Sequence, residues 1–267
     1  MKRLILPIIP LIIAGLIAAS ILHPRGQDLT PKAVAQEVKD LVLSTNLVIE
    51  DFCDEIRAKI EQVEALRARF EETSDLSTVI REAASVFKEH AAYFAKLIHE
   101  TPEVTEGLQR YLSRLSSLAE YPEDKVQELS LRKAQIEGEL AVLERNKDIA
   151  SEIRIKGART RLAIVEKRIT IWERLIPIQT KLLEASRQGV ETVNRLIIAL
   201  EEHSRVADEA YQALAEGEEI LEALKIYQTI PEIEDLIDHI TSVWDEITSL
   251  VDMLLEAAVD EVKALTE

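Results

Sequence analysis

Chemistry in this chain would have to come from a few residue types at fixed spacings, and the histidines are the first to test. There are five: His23, His90, His99, His203 and His239. A di-metal site inside a helical bundle draws on Glu-x-x-His pairs, which set a carboxylate and an imidazole on one face. Three positions ahead of the last four histidines stand Phe87, Lys96, Leu200 and Leu236, so no such pair exists there. The nearest approach to a metal-ligand pair is Asp235 with His239, four apart and therefore on one helical face; a surface i, i+4 pair is the plainer reading. His90 and His99 lie on an Ala-rich stretch and read as facing solvent or a helix interface.

A thiol nucleophile would have to be Cys53, the only cysteine. It follows Phe52 beside an apolar stripe, where a lone cysteine reads as a small buried hydrophobe. A single cysteine also excludes an intrachain disulfide and any multi-cysteine metal site. Glu216, Glu218, Glu219 and Glu222 could attract calcium weakly, but they lack the alternating loop geometry of a tight site. There is no Gly-rich phosphate loop, no HExxH and no GxSxG. The sequence therefore offers no catalytic, cofactor-binding or metal-binding residue, no small-molecule substrate and no expectation of an enzyme.

The elements that would carry any site are helices. Apolar residues make up 47% of the chain and charged residues 30%, with seven Gly and eight Pro in 267 residues. Leu, Ile, Ala, Val, Glu and Arg recurring at every third and fourth position is the composition of long helices and coiled coils. The predicted fold is all-α: an N-terminal transmembrane or signal helix, then an elongated antiparallel helical bundle or coiled coil.

Residues 1–22 carry Lys2 and Arg3 and then an uncharged run from Leu4 to Leu22. Nineteen helical residues rise about 28 Å, close to the hydrocarbon thickness of a bilayer. The run reads as a transmembrane anchor, or as a signal peptide cut after the small-x-small site Ala18-Ala19-Ser20. The anchor is favoured by its uninterrupted length. The expectation is a single-pass membrane protein, attached through residues 4–22, with an extracytoplasmic body; cleavage would leave it secreted or periplasmic.

A linker over 23–29 leads to Thr30-Pro31, a cap followed by a proline at the first helical position. Within a segment spanning 30–120, the spacing predicts helices over 30–72, 77–99 and 101–120. Thr73-Ser74-Asp75 forms the first break, and the Thr101-Pro102 and Tyr121-Pro122 signals form the next two. Over 122–267 the pattern predicts long coiled-coil helices with a kink or join near Pro177 and a turn near 229–231. The seam slips by one residue between Leu143 and Ile155. Interface or packing candidates on the seams are Leu162, Ile169, Trp172, Ile197, Trp244 and Leu250.

Charge is unevenly placed. The chain carries a net −17, and from Glu201 to Glu267 there are 19 acidic residues against 3 basic ones. Between Glu144 and Arg174 the balance reverses, giving a basic patch that includes Arg154, Lys156, Arg159, Arg161, Lys167 and Arg168. An acidic carboxy-terminal arm lying along this patch is one expectation. Nucleic acid is not expected as a partner, because the basic stretch is short and the overall charge strongly negative. The function expected is a membrane-anchored helical scaffold or spacer that self-associates or binds a helical partner. The alternatives are a helical sensor or signalling module and a secreted membrane-interacting helical protein.

Overall fold

In the computed structural model, residues 29–72, 76–145, 149–216 and 225–266 are described. They form four α-helices: α1 (Pro31–Glu72), α2 (Leu76–Arg145), α3 (Ile149–Glu216) and α4 (Ile226–Thr266). No strand occurs among the described residues. The all-α, helical-bundle reading therefore holds. Residues 1–22, most of the linker and the Thr73-Ser74-Asp75 break lie outside the described residues. No described helix is long and apolar enough to cross a membrane.

α1 starts as its sequence demands. The Thr30 hydroxyl accepts the Ala33 amide at 3.2 Å, and the Thr30 carbonyl accepts Val34 N–H at 3.0 Å. Pro31 fills the first helical position, where its missing N–H leaves nothing unpaired.

α2 runs unbroken through Pro102 and Pro122, so the separate helices expected over 77–99 and 101–120 are one element. At Pro102 the physical reason is local. A proline there cannot donate to the Ile98 carbonyl four residues back. The Thr101 hydroxyl donates to that same oxygen at 2.7 Å and supplies the missing partner. α3 likewise continues through exposed Pro177, so there is no helix–helix join at that point. Pro231 lies inside α4, so the turn expected near 229–231 is not there; α3 ends at Glu216 and α4 begins at Ile226. α2 ends at Arg145 and α3 begins at Ile149, where the sequence seam slips.

Two compact units are present. The first comprises Leu43–Tyr111 and Ser186–Asp245, so each helix contributes one segment. Its cross-links fix an up-down-up-down order. α1 meets α2 through Arg69–Glu82 at 2.6 Å. α2 meets α3 through Tyr111–Ser186 at 2.7 Å, and Ser204 Oγ donates to the Ala91 carbonyl at 3.3 Å. α4 returns to α1 through Tyr227, whose hydroxyl donates to the Val63 carbonyl, and through Arg57–Asp238 at 3.0 Å. Tyr111 and Trp244 touch across the interior with ring centroids 5.7 Å apart. Phe52, Ile56, Ile60, Phe87, Phe94, Leu196, Ile237 and Trp244 belong to the buried set, and each such side chain contributes about 1.5–3 kcal/mol by leaving water. Gly189 allows the close approach of α4: a Cβ there would sit 3.3 Å from Val243 Cγ1 and 3.5 Å from Trp244 Nε1.

The second unit comprises residues 29–42, Leu112–Ala185 and the end of α4 from Glu246. Here Leu29 N–H donates to the Tyr121 hydroxyl at 2.9 Å, and Arg114 pairs with Glu37. Tyr121 packs against buried Trp172 with centroids 5.6 Å apart. Beyond Tyr121, α2 and α3 pair as an antiparallel hairpin, held by Lys133–Glu166 at 2.8 Å, Glu139–Arg161 at 2.9 Å and Glu144–Arg159 at 2.9 Å.

Candidate functional site

The hairpin of the second unit is the most unusual surface in the chain. Along the seam the buried residues of α2 include Leu129 and Ile136, seven apart; those of α3 include Ser151, Ala158, Val165 and Trp172, again at sevens. Half-buried Val126, Lys133 and Leu140, and half-buried Ile155, Leu162 and Ile169, fill the alternate seam positions. One buried residue per heptad with half-buried neighbours is what a narrow two-helix seam produces.

That seam divides the hairpin surface into two flanks. One carries the Glu139–Arg161 pair, the other the Glu144–Arg159 pair. By heptad position the first flank also holds Arg132, Arg154 and Arg168, against Glu128. The second holds Glu137, Glu152 and Glu166, against Lys156. Of the hairpin's exposed aliphatic residues, Val142 (59% exposed) and Ile164 (47%) stand on the arginine flank, and Leu131 (65%) and Ile153 (74%) lie on the outer backs of α2 and α3. An open groove of about 660 Å³ on this flank is lined by Gly138, Glu139, Val142, Leu143, Arg154, Gly157 and Arg161. A Cβ at either glycine would meet nothing within 4 Å, so these two serve no packing need in the chain itself.

The predicted residues fall into two groups. Trp172, Ile197, Trp244 and Leu250 are buried, and Leu162 and Ile169 are half-buried; all of them hold the chain's own helices together. Of the basic patch, Arg154, Arg161 and Arg168 lie on the arginine flank, Lys156 and Arg159 on the opposite flank, and Lys167 at the outer edge. The acidic arm does not meet Arg159 and Arg161. Their partners are Glu144 and Glu139 of α2, which runs antiparallel beside α3.

A second cluster lies inside the first unit. His90 (1% exposed) and His203 (0%) face each other edge-on with ring centroids 5.9 Å apart, and Phe94 stacks at 5.4 Å from His90 and 5.2 Å from His203. The Thr229 hydroxyl donates to the Ile226 carbonyl at 2.8 Å, so at its 2.7 Å contact with His203 it is Nδ1–H that donates. His203 Nε2 then carries a lone pair with no partner, and neither nitrogen of His90 has one. Burial holds both imidazoles neutral. His90 is pushed down to about 3, with His203 and Lys59 adding to the effect, and His203 to about 4. The expectation that His90 faces solvent or an interface resolves to a buried helix interface.

Neither the cysteine nor the remaining histidines form a reactive group. Cys53 is buried, and burial raises its thiol to about 12, so it is protonated at neutral pH. His239 lies on the surface beside Gln188 Nε2 at 3.4 Å. Among the described residues, no group of three or more His, Cys, Asp or Glu could hold a metal ion. Glu218, Glu219 and Glu222 lie outside the described residues. Comparison with protein-family models, with curated proteins and with solved structures finds no match.

Proposed function

We propose that this chain is a membrane-tethered helical scaffold: Leu4–Leu22 holds it to a bilayer, the bundle serves as a rigid body on the extracytoplasmic side, and the α2–α3 hairpin is its contact surface. The observation that carries this reading is the contrast between the bundle and the hairpin. Exposed large aliphatic residues also occur on the bundle, at Leu43, Leu47, Ile198, Met253 and Val259, but on the hairpin Val142 and Ile164 stand in water on a flank rich in arginine. Exposed apolar surface beside charge marks an interaction site. Self-association or a helical protein partner is the protein contact such a scaffold makes.

The test is membrane extraction of the native protein. The full chain stays in the membrane fraction through an alkaline carbonate wash, keeps its amino-terminal residues on sequencing, and gives discrete products on crosslinking. Deletion of residues 1–22 releases it. Recovery of the intact chain in the soluble fraction refutes the tether. A mature amino terminus just after Ser20 replaces it with the secreted form.

A further inference from the structure

The arginine flank of the hairpin makes a second contact with the membrane. Resting on the tethered reading above, we infer that this flank lies on the anionic headgroups of the bilayer that anchors the chain. The first argument is charge sorting. Arg132, Arg154, Arg161 and Arg168 share one flank with two glutamates, whereas the other flank carries Glu137, Glu144, Glu152 and Glu166 against Lys156 and Arg159. The excess is not absorbed by internal pairing: of the four arginines only Arg161 has a carboxylate partner among the described residues. Rings of arginine beside exposed Val142 and Ile164 are what an interfacial helix presents to acidic lipid.

The second argument is reach. The described chain begins at Leu29, pinned to Tyr121 at the base of the hairpin. Seven residue steps separate Leu22 from Leu29, and a fully extended chain of that length spans at most about 24 Å. A segment anchored through Leu22 therefore keeps the base of the hairpin within that distance of the bilayer. The arms from Val126 to Arg145 are roughly 30 Å long, so a hairpin laid along the bilayer brings its base and its tip to the lipid surface together. Gly138 and Gly157 leave the flank open between the aliphatic side chains, and the groove beside them is lined by Arg154 and Arg161. Arg161 is paired with Glu139, which also lines the groove, so Arg154 is the guanidinium there left to meet a lipid phosphate.

The experiment uses the full chain with Ile164→Cys carrying an environment-sensitive fluorophore; native Cys53 is buried and does not compete for the label. The chain is bound to vesicles of phosphatidylcholine, with or without phosphatidylglycerol. The label moves into an apolar environment, and is quenched by lipid-borne quenchers, only when phosphatidylglycerol is present. Added salt reverses the change. Arg132→Glu with Arg154→Glu lowers the phosphatidylglycerol-dependent signal by about tenfold, with helicity unchanged by circular dichroism. A label that stays aqueous on both vesicle types while the chain remains bound overturns the inference. So does a shielded label that follows protein concentration and ignores lipid, because the flank then takes a second copy. If the chain fails to float with pure phosphatidylcholine, the tethered reading is lost, while the phosphatidylglycerol response of the label still decides the hairpin.

Discussion

Acidification should weaken this protein through two buried rings. An imidazole in an unfolded chain titrates near 6.5, whereas His90 and His203 are held down to about 3 and about 4 by burial. Between those limits the unfolded chain binds protons that the folded one refuses, so stability falls as pH falls. Above 6.5 the two states bind alike and the contribution is complete; it is lost progressively on descending towards 4. Each pKa unit corresponds to about 1.36 kcal/mol. Moving from pH 7 to pH 5 therefore costs about 2 kcal/mol per histidine and about 4 kcal/mol for the pair, a large part of the 5–15 kcal/mol that typically holds a domain together. Carboxylates also begin to titrate in this range, and the excess of negative charge relaxes, so the informative quantity is a difference between variants. His90→Phe removes a ring whose two nitrogens have no partner and leaves an aromatic beside Phe94. Urea unfolding at pH 7 and pH 5, at constant ionic strength, should show the variant losing about 2 kcal/mol less than the native chain. Equal losses in both proteins, or an NMR titration placing His90 near 6.5, would refute the reasoning.

Three further predictions follow from packing. Gly138→Ala and Gly157→Ala meet open space and should each raise stability by about 0.5–1 kcal/mol through helix propensity, whereas Gly189→Ala must displace Val243 or Trp244 and should gain nothing or lose; thermal melts distinguish the two classes. Trp172→Ala should cost about 3–5 kcal/mol by emptying the contact with Tyr121, while Ile153→Ser, with its side chain already in water, should stay within about 0.5 kcal/mol in chemical denaturation. Thr101→Val should cost about 1 kcal/mol, because the Ile98 carbonyl facing Pro102 loses its donor, and hydrogen exchange around Ile98 should accelerate.

Much of the architecture was legible because burying an apolar stripe is what a helix of this composition must do. The misreadings came from treating local punctuation as decisive. Pro102 and Pro122 look like starts, yet each costs one backbone bond in a helix of 70 residues, and packing on both sides offsets that. The slip of the seam between Leu143 and Ile155 was visible, and the end of α2 at Arg145 and the start of α3 at Ile149 fall within it. Gly217, placed immediately after the end of α3, was a stop signal passed over in favour of Pro231. The histidine pair was missed for a similar reason. On α2 the buried stripe runs through Ala83, Phe87, His90, Phe94 and Leu97, so His90 occupies a core position that the Ala-rich composition around it hides. His203 occupies the gap in the α3 seam between Leu200 and Ala207, so a polar residue at a core position was there to be found.

The hairpin flank could not be read in the same way, because no core packing selects it. If its charges served only the two-helix seam, each flank would carry matched signs, as Glu139–Arg161 and Glu144–Arg159 do. Arg132 and Arg154 add to the positive sign of one flank with no carboxylate to meet them, and Glu152 adds to the negative sign of the other. Exposed pairs contribute about 0–1 kcal/mol at best, so unmatched arginines give the hairpin no stability of its own. Nor do Val142 and Ile164, which remain in water. A surface that costs its own fold solubility and returns no packing is explained by something outside the fold. On the proposed tether, an acidic bilayer is the surface that would satisfy its arginines and its aliphatic side chains at once.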